Sequence, residues 1–105
     1  SIMMNSKLTN GNFPESSFIR ANLYETNFEG GNFEKTNFTS ANLTRANFKA
    51  ASLIDANFTN ANLFESDFTG ANILNAIFEG ANLNNATWAD GKKCGLNSIG
   101  ECKAK

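Results

Sequence analysis

Ala41-Asn42-Leu43-Thr44-Arg45-Ala46-Asn47-Phe48-Lys49-Ala50-Ala51-Ser52-Leu53-Ile54-Asp55-Ala56-Asn57-Phe58-Thr59-Asn60 repeats one five-residue unit four times. A small residue opens each unit, a polar one follows, and a large apolar residue stands third. Read outward, the large position recurs seventeen times without a break: Leu8, Phe13, Phe18, Leu23, Phe28, Phe33, Phe38, Leu43, Phe48, Leu53, Phe58, Leu63, Phe68, Ile73, Phe78, Leu83 and Trp88. Two residues before each is Ser, Gly, Ala or Thr, from Ser6 to Ala86. A period this regular decides the architecture ahead of any other signal.

Five residues match neither the 3.6-residue turn of a helix nor the alternation of a flat strand. A helix would scatter these side chains around its circumference, and a strand would send alternate members to opposite faces. The period predicts a chain that turns every five residues and points one small and one large side chain inward on each side. Stacked coils then pair their backbones at the ~4.8 Å spacing of parallel strands.

The number of sides is legible in the columns. At a step of 20 residues, Leu23, Leu43, Leu63 and Leu83 align, as do Phe18, Phe38, Phe58 and Phe78, and Phe28, Phe48, Phe68 and Trp88. Charges agree with this register: Glu15, Lys35 and Asp55 alternate in sign, Glu25, Arg45 and Glu65 do too, and Glu29 meets Lys49. Facing opposite charges are favourable in a ladder, though each exposed pair contributes only about 0–1 kcal/mol.

The Ala-Asn-Leu and Ala-Asn-Phe units, such as Ala21-Asn22-Leu23, Ala46-Asn47-Phe48 and Ala81-Asn82-Leu83, resemble those of the pentapeptide-repeat family. The resemblance covers residues 6–90. It implies an all-β fold, a right-handed quadrilateral parallel β-helix of slightly more than four coils, roughly 20 Å tall at the strand spacing. The expected organisation is an N-terminal cap at 1–5, where Ile2-Met3-Met4 lids the first coil, a solenoid at 6–90 and a C-terminal cap at 91–105. Departures from the pattern are Lys7, Ser17, Ser52, Ile77 and Thr87 at the second position. The single proline, Pro14, is expected where a missing N–H faces an unpaired edge.

Beyond Trp88 the repeat stops. Trp88 is expected to floor the core with Leu96 and Ile99 covering it, since an open coil exposes apolar side chains and unpaired backbone. Cys94 and Cys102 read as a disulfide pinning that cap, with two buried free thiols as the alternative. Two cysteines and no histidine make a poor zinc site, and the spacing is not that of a redox motif. A disulfide places the chain in an oxidising compartment. The Asp-Gly-x-x-Cys…Cys ending is similar to that of cyanobacterial members of the family, which implies the periplasm or thylakoid lumen.

Net charge is −1, from nine basic and ten acidic residues. That balance offers no global field for nucleic acid, membrane or an acidic partner. Five acids and no base lie between residues 50 and 90, on different columns, and the tail carries Lys92, Lys93, Lys103 and Lys105. These read as solvated faces. No segment is long and apolar enough to span a bilayer.

Without histidine, the commonest general base and metal ligand is absent. No phosphate-binding loop is present, and no Ser or Cys has an activating partner. Glu65 and Asp67 project from a polar surface. The reading is therefore a chain with no catalytic, cofactor-binding or metal-binding residues. Outward positions are nearly all polar, except that Ile54 and Leu74 share a column with Ile77 around the next corner, and Tyr24 and Phe64 share another. Ile54, Leu74 and Ile77 form the candidate interaction surface, unless the tail folds back over them. The leading expectation is a non-enzymatic scaffold, monomeric, that binds another protein. Some family members protect or inhibit DNA gyrase, so a DNA-mimicking modulator of gyrase is the second reading, weakened by the low charge. A rigid terminal module of a larger protein is the third.

Overall fold

The computed structural model describes residues 7–103; the expected N-terminal cap at 1–5 lies outside them. The chain winds in coils of 20 residues with four sides. Parallel bridges join Lys7 to Asn27, Asn12 to Asn32, Ser17 to Asn37 and Asn22 to Asn42, and the same step continues to Asp67–Thr87. The first side carries Leu8, Phe28, Phe48, Phe68 and Trp88 inward. The second carries Phe13, Phe33, Leu53 and Ile73, the third Phe18, Phe38, Phe58 and Phe78, and the fourth Leu23, Leu43, Leu63 and Leu83. Long strands do not form: every bridge involves a single residue pair, because each side spends its last two residues on a corner.

Each corner is closed by a hydrogen bond from the next small residue to the carbonyl of the large one, as from Ala46 N to Leu43 O at 3.0 Å. The last residue of the unit has positive φ, near 60°, at Arg45, Asp55 and Glu65 among others. This is the third position of a type II turn, which normally asks for Gly or Asn. What holds non-glycine residues there is the ladder, since the N–H of the positive-φ residue itself is bonded to the next coil, as Arg45 N to Phe64 O at 2.8 Å.

The polar second position has its own task. Its side-chain oxygen accepts from the N–H two residues on, as in Asn47 Oδ1 with Lys49 N at 2.9 Å and Asp67 Oδ1 with Thr69 N at 2.9 Å. These Asx turns explain why Asn or Asp recurs there. They also give Pro14 a different meaning from the expected one. Pro14 stands where that Asx N–H would be, so it forgoes an Asx bond and leaves the ladder intact: Phe13 N and Glu15 N both reach the next coil at 2.8 Å.

Inside, the small and large columns interlock. Phe28, Phe33, Phe38, Phe48, Phe58 and Phe68 are fully buried, as are Leu23, Leu43, Leu53, Leu63 and Leu83. Like rings stack between coils, Phe28 on Phe48 at 4.6 Å and Phe38 on Phe58 at 4.9 Å, and meet edge to face around a coil, Phe48 with Phe58 at 5.7 Å. Hydroxyls in the small column bond to carbonyls, Thr36 Oγ1 to Phe13 O at 2.9 Å and Ser66 Oγ to Leu63 O at 2.7 Å.

The second side packs differently. There Gly11 precedes Phe13 and Gly31 precedes Phe33, whereas Ala51 precedes Leu53 and Ala71 precedes Ile73. A Cβ on Gly11 or Gly31 would overlap Cε2 of the following ring. On this side the aromatic ring fills the space that alanine takes beside an aliphatic residue.

Candidate interaction surface

Side-chain chemistry on the outside is sparse. Arg45 is clamped between Glu25 at 3.2 Å and Glu65 at 3.3 Å, and also donates to the Tyr24 hydroxyl at 3.3 Å. The hydrogen bond to Tyr24, followed by the charges around it, raises the guanidinium above its ordinary value. This column follows the 20-residue register. The other two expected columns do not make ion pairs among the described residues: Lys49 reaches Asp67 at 3.7 Å rather than Glu29, and Glu15, Lys35 and Asp55 align without contact. Sharing a column therefore brings charged ends together at Arg45 but not at Lys35 or Lys49.

No cavity opens among the described residues, because paired small and large columns fill the interior. Nor do they contain a His/Cys/Asp/Glu group able to hold a metal ion, or a helix long and apolar enough to cross a membrane.

The tail doubles back antiparallel on two of the four sides. Lys93 bridges Thr87 on the first side, and Ile99 bridges Asn82 on the fourth. Cys94 and Cys102 form a disulfide with Cα atoms 5.0 Å apart, and Cys94 is fully buried. The cap is therefore built by the disulfide and by Ser98, not by Leu96 and Ile99, which are 78% and 53% exposed. Antiparallel pairing accounts for this reversal: the residues that touch the last coil through their backbones turn Leu96 and Ile99 outward. Buried Ser98 ties the tail to itself, its Oγ donating to Gly95 O at 2.7 Å and accepting from Lys103 N at 3.0 Å. Its backbone N–H reaches Asn84 Oδ1 at 2.9 Å. Trp88 packs on Phe68 and Phe78 at the base of the cap.

Because the described tail, residues 91–103, follows the first and fourth sides, it does not fold back over Ile54, Leu74 and Ile77. Ile54 is half-buried, Leu74 is 61% exposed and Ile77 48% exposed. Leu74 stacks directly above Ile54 on the second side, where Asp55 N bonds Leu74 O at 2.9 Å, and Ile77 follows the corner onto the third. Tyr24 and Phe64 are both half-buried. Sequence reasoning did not single out Ile19, which is 49% exposed on the third side; its position just after Phe18, an outward one in every unit, was the available signal.

A four-sided solenoid of five-residue units, closed at one end by a disulfide-bonded cap, is the class of repeat protein these coils define. The profile of the pentapeptide repeat region matches residues 11–88, and the chain belongs to that family. Among solved structures it is similar to a pentapeptide repeat protein, Rfr23, from the cyanobacterium Cyanothece 51142. The two share 31% identity over 83% of this chain and 63% of that one, with a TM-score of 0.64. A pentapeptide repeat protein from Nostoc, alr5209, is 28% identical over 77% of this chain and 63% of that one, with a TM-score of 0.59. HetL from Nostoc, described as involved in heterocyst differentiation regulation, is 22% identical over 88% and 48%, with a TM-score of 0.56, a likeness of fold alone. The chain thus spans less than two thirds of each of these relatives. No curated protein matches it in sequence.

Proposed function

We propose that this chain is a non-enzymatic interaction module whose apolar corner of Ile54, Leu74 and Ile77 meets another protein. The observation that carries this reading is that Leu74 and Ile77 stay open although the same chain has a tail able to cover apolar surface. Isolated exposed apolar residues such as Ile19 are ordinary, but three gathered at one corner suit a docking surface. The filled interior and the lack of histidine favour binding over catalysis. The coils are taken to wind right-handed, the hand that parallel crossovers almost always adopt. The Cys94–Cys102 disulfide favours an oxidising compartment such as the periplasm or thylakoid lumen.

A photo-crosslinking residue placed at Leu74 or at Ile77 should trap the same protein from native extract. One placed at Thr44, on the fourth side, should not, and Leu74→Ser with Ile77→Ser should abolish capture without lowering the melting temperature. Equal capture from the fourth side, or from neither site, refutes the assignment of this corner.

A further inference from the structure

The second and third sides, to which residues 91–103 make no backbone hydrogen bond, end as an open ladder, with Gly100 standing beside the Gly80 corner. Among the described residues the N–H groups of Ile73, Asn75, Phe78 and Gly80 and the carbonyls of Ala71 and Ala76 have no partner. One coil earlier every equivalent group is paired. There Leu53 N meets Asn72 O at 2.8 Å, Asp55 N meets Leu74 O at 2.9 Å, Phe58 N meets Ile77 O at 2.7 Å and Asn60 N meets Glu79 O at 2.8 Å. The carbonyls of Ala51 and Ala56 accept from Asn72 and Ile77 at 2.9 Å. The six free groups therefore stand in the register of a filled parallel ladder. Their side chains are under-covered to match: Leu53 and Phe58 are fully buried, while Ile73 and Phe78 above them are only half-buried.

We propose that this half-end is a strand-acceptor site for an extended segment of a partner polypeptide, about ten residues long. The length follows from the two open sides. The segment repeats the rhythm of the coil it would lie on: a small residue, a polar one and a large apolar one, then the same again five residues later. Its two large side chains settle over Ile73 and Phe78, and its backbone supplies the acceptors that the four N–H groups lack. This is strand addition to an exposed edge, in which backbone bonds give affinity and side-chain pockets give specificity.

A second copy of the chain stacked in register is a poorer occupant. Its N-terminal coil does present the matching carbonyls of Asn12, Pro14, Ser17 and Ile19, unpaired among the described residues. Its first and fourth sides, however, would need the space already held by Lys93 and Ile99. The tail thus rejects a whole coil and leaves the two sides up to the Gly80 corner, where Gly100 bounds the segment. The inference builds on the reading of the chain as an interaction module, but it rests on backbone and core groups rather than on the outer corner.

The test is residue-resolved amide exchange on the full chain, with a synthetic peptide of the sequence of residues 50–61 as the probe. That peptide carries Leu53 and Phe58 in the required spacing. The four amides of Ile73, Asn75, Phe78 and Gly80 should exchange fast in the free protein. They should slow by about tenfold or more with peptide, as expected when open edge amides become bonded, while the same peptide with L53S and F58S should have no effect. Four amides already protected in the dilute free protein would overturn the proposal, as would no slowing at millimolar peptide. Protection that grows with protein concentration alone would also overturn it, in favour of a second copy. A null result here, with crosslinks still formed at Leu74 and Ile77, would remove the strand site and leave the proposed function standing.

Discussion

Gly31→Ala is the most searching perturbation of the packing. The new Cβ would overlap Cε2 of Phe33 and stand 3.0 Å from its Cζ and 3.3 Å from the carbonyl of Phe28. Phe33 cannot swing aside: it is fully buried, stacked on Phe13 at 5.5 Å and edge-on to Phe28 at 5.0 Å. One methyl forced into a filled core costs about 1–3 kcal/mol. In a chain of this length that lowers the melting temperature by roughly 5–20 °C. Phe33→Leu alone should also destabilise, by about 1–2 kcal/mol, since it removes buried ring atoms. Together the two recreate the Ala51/Leu53 pair that the next coil already uses on the same side, so the double variant should be more stable than Gly31→Ala alone. Chemical denaturation of the four proteins yields the coupling energy directly, and it should exceed about 1 kcal/mol in the favourable sense. Gly11→Ala is the internal control: the same overlap meets a half-buried Phe13 at the end of the stack, where the ring can yield, so the loss should be smaller. Additive single effects, or a Gly31→Ala protein as stable as the parent, would refute the idea that ring and methyl compete for one space.

Reduction of Cys94–Cys102, or its replacement by two serines, should lower stability by about 2.5 kcal/mol in the loop-entropy treatment, from a sequence separation of 8 residues. The first amides to lose protection should be Leu83, Asn85 and Gly100, which bond across the cap; loss spread evenly over all coils would contradict a local latch. Arg45→Gln should reduce the melting temperature at low ionic strength, and the difference should shrink in 1 M salt, where the screening length falls to about 3 Å. A salt-independent difference would show that packing against Tyr24, rather than charge, is what Arg45 contributes.

The coil was legible because its cause is local and repeated. A small, polar, large triplet every five residues specifies an inward pair, an Asx turn and a corner each time, and the 20-residue columns then specify four sides. The cap was legible only in part. The chemistry of Cys94 and Cys102 predicts a pair and they do pair, but hydrophobicity alone predicts Leu96 and Ile99 inward, and no period says which way the tail faces. Ser98, the buried residue that ties the tail together, carries no apolar signal that would mark it in the sequence. Among the charges, Arg45 met its expected partners while Lys49 did not, because backbone register is periodic and the direction of a long side chain is not. Ile54, Leu74 and Ile77 were visible as apolar residues at polar positions. The open ladder beside them was invisible, since it depends on where the tail goes rather than on any residue within it.

The 20-residue closure has a consequence for how such chains can change length. Inserting or deleting one five-residue unit leaves every hydrogen-bonded step available, because each side is backbone-equivalent to the next. It nonetheless turns everything beyond the edit by a quarter revolution. Leucines of the fourth side would then lie on rings of a neighbouring side, Gly31 would lose the column that matches it, and Arg45 would leave Glu25. The backbone grows in fives, but the side chains are tuned in twenties. Gains and losses of whole coils should therefore be nearly silent, whereas single-unit edits should leave a mispacked seam along the entire remaining stack.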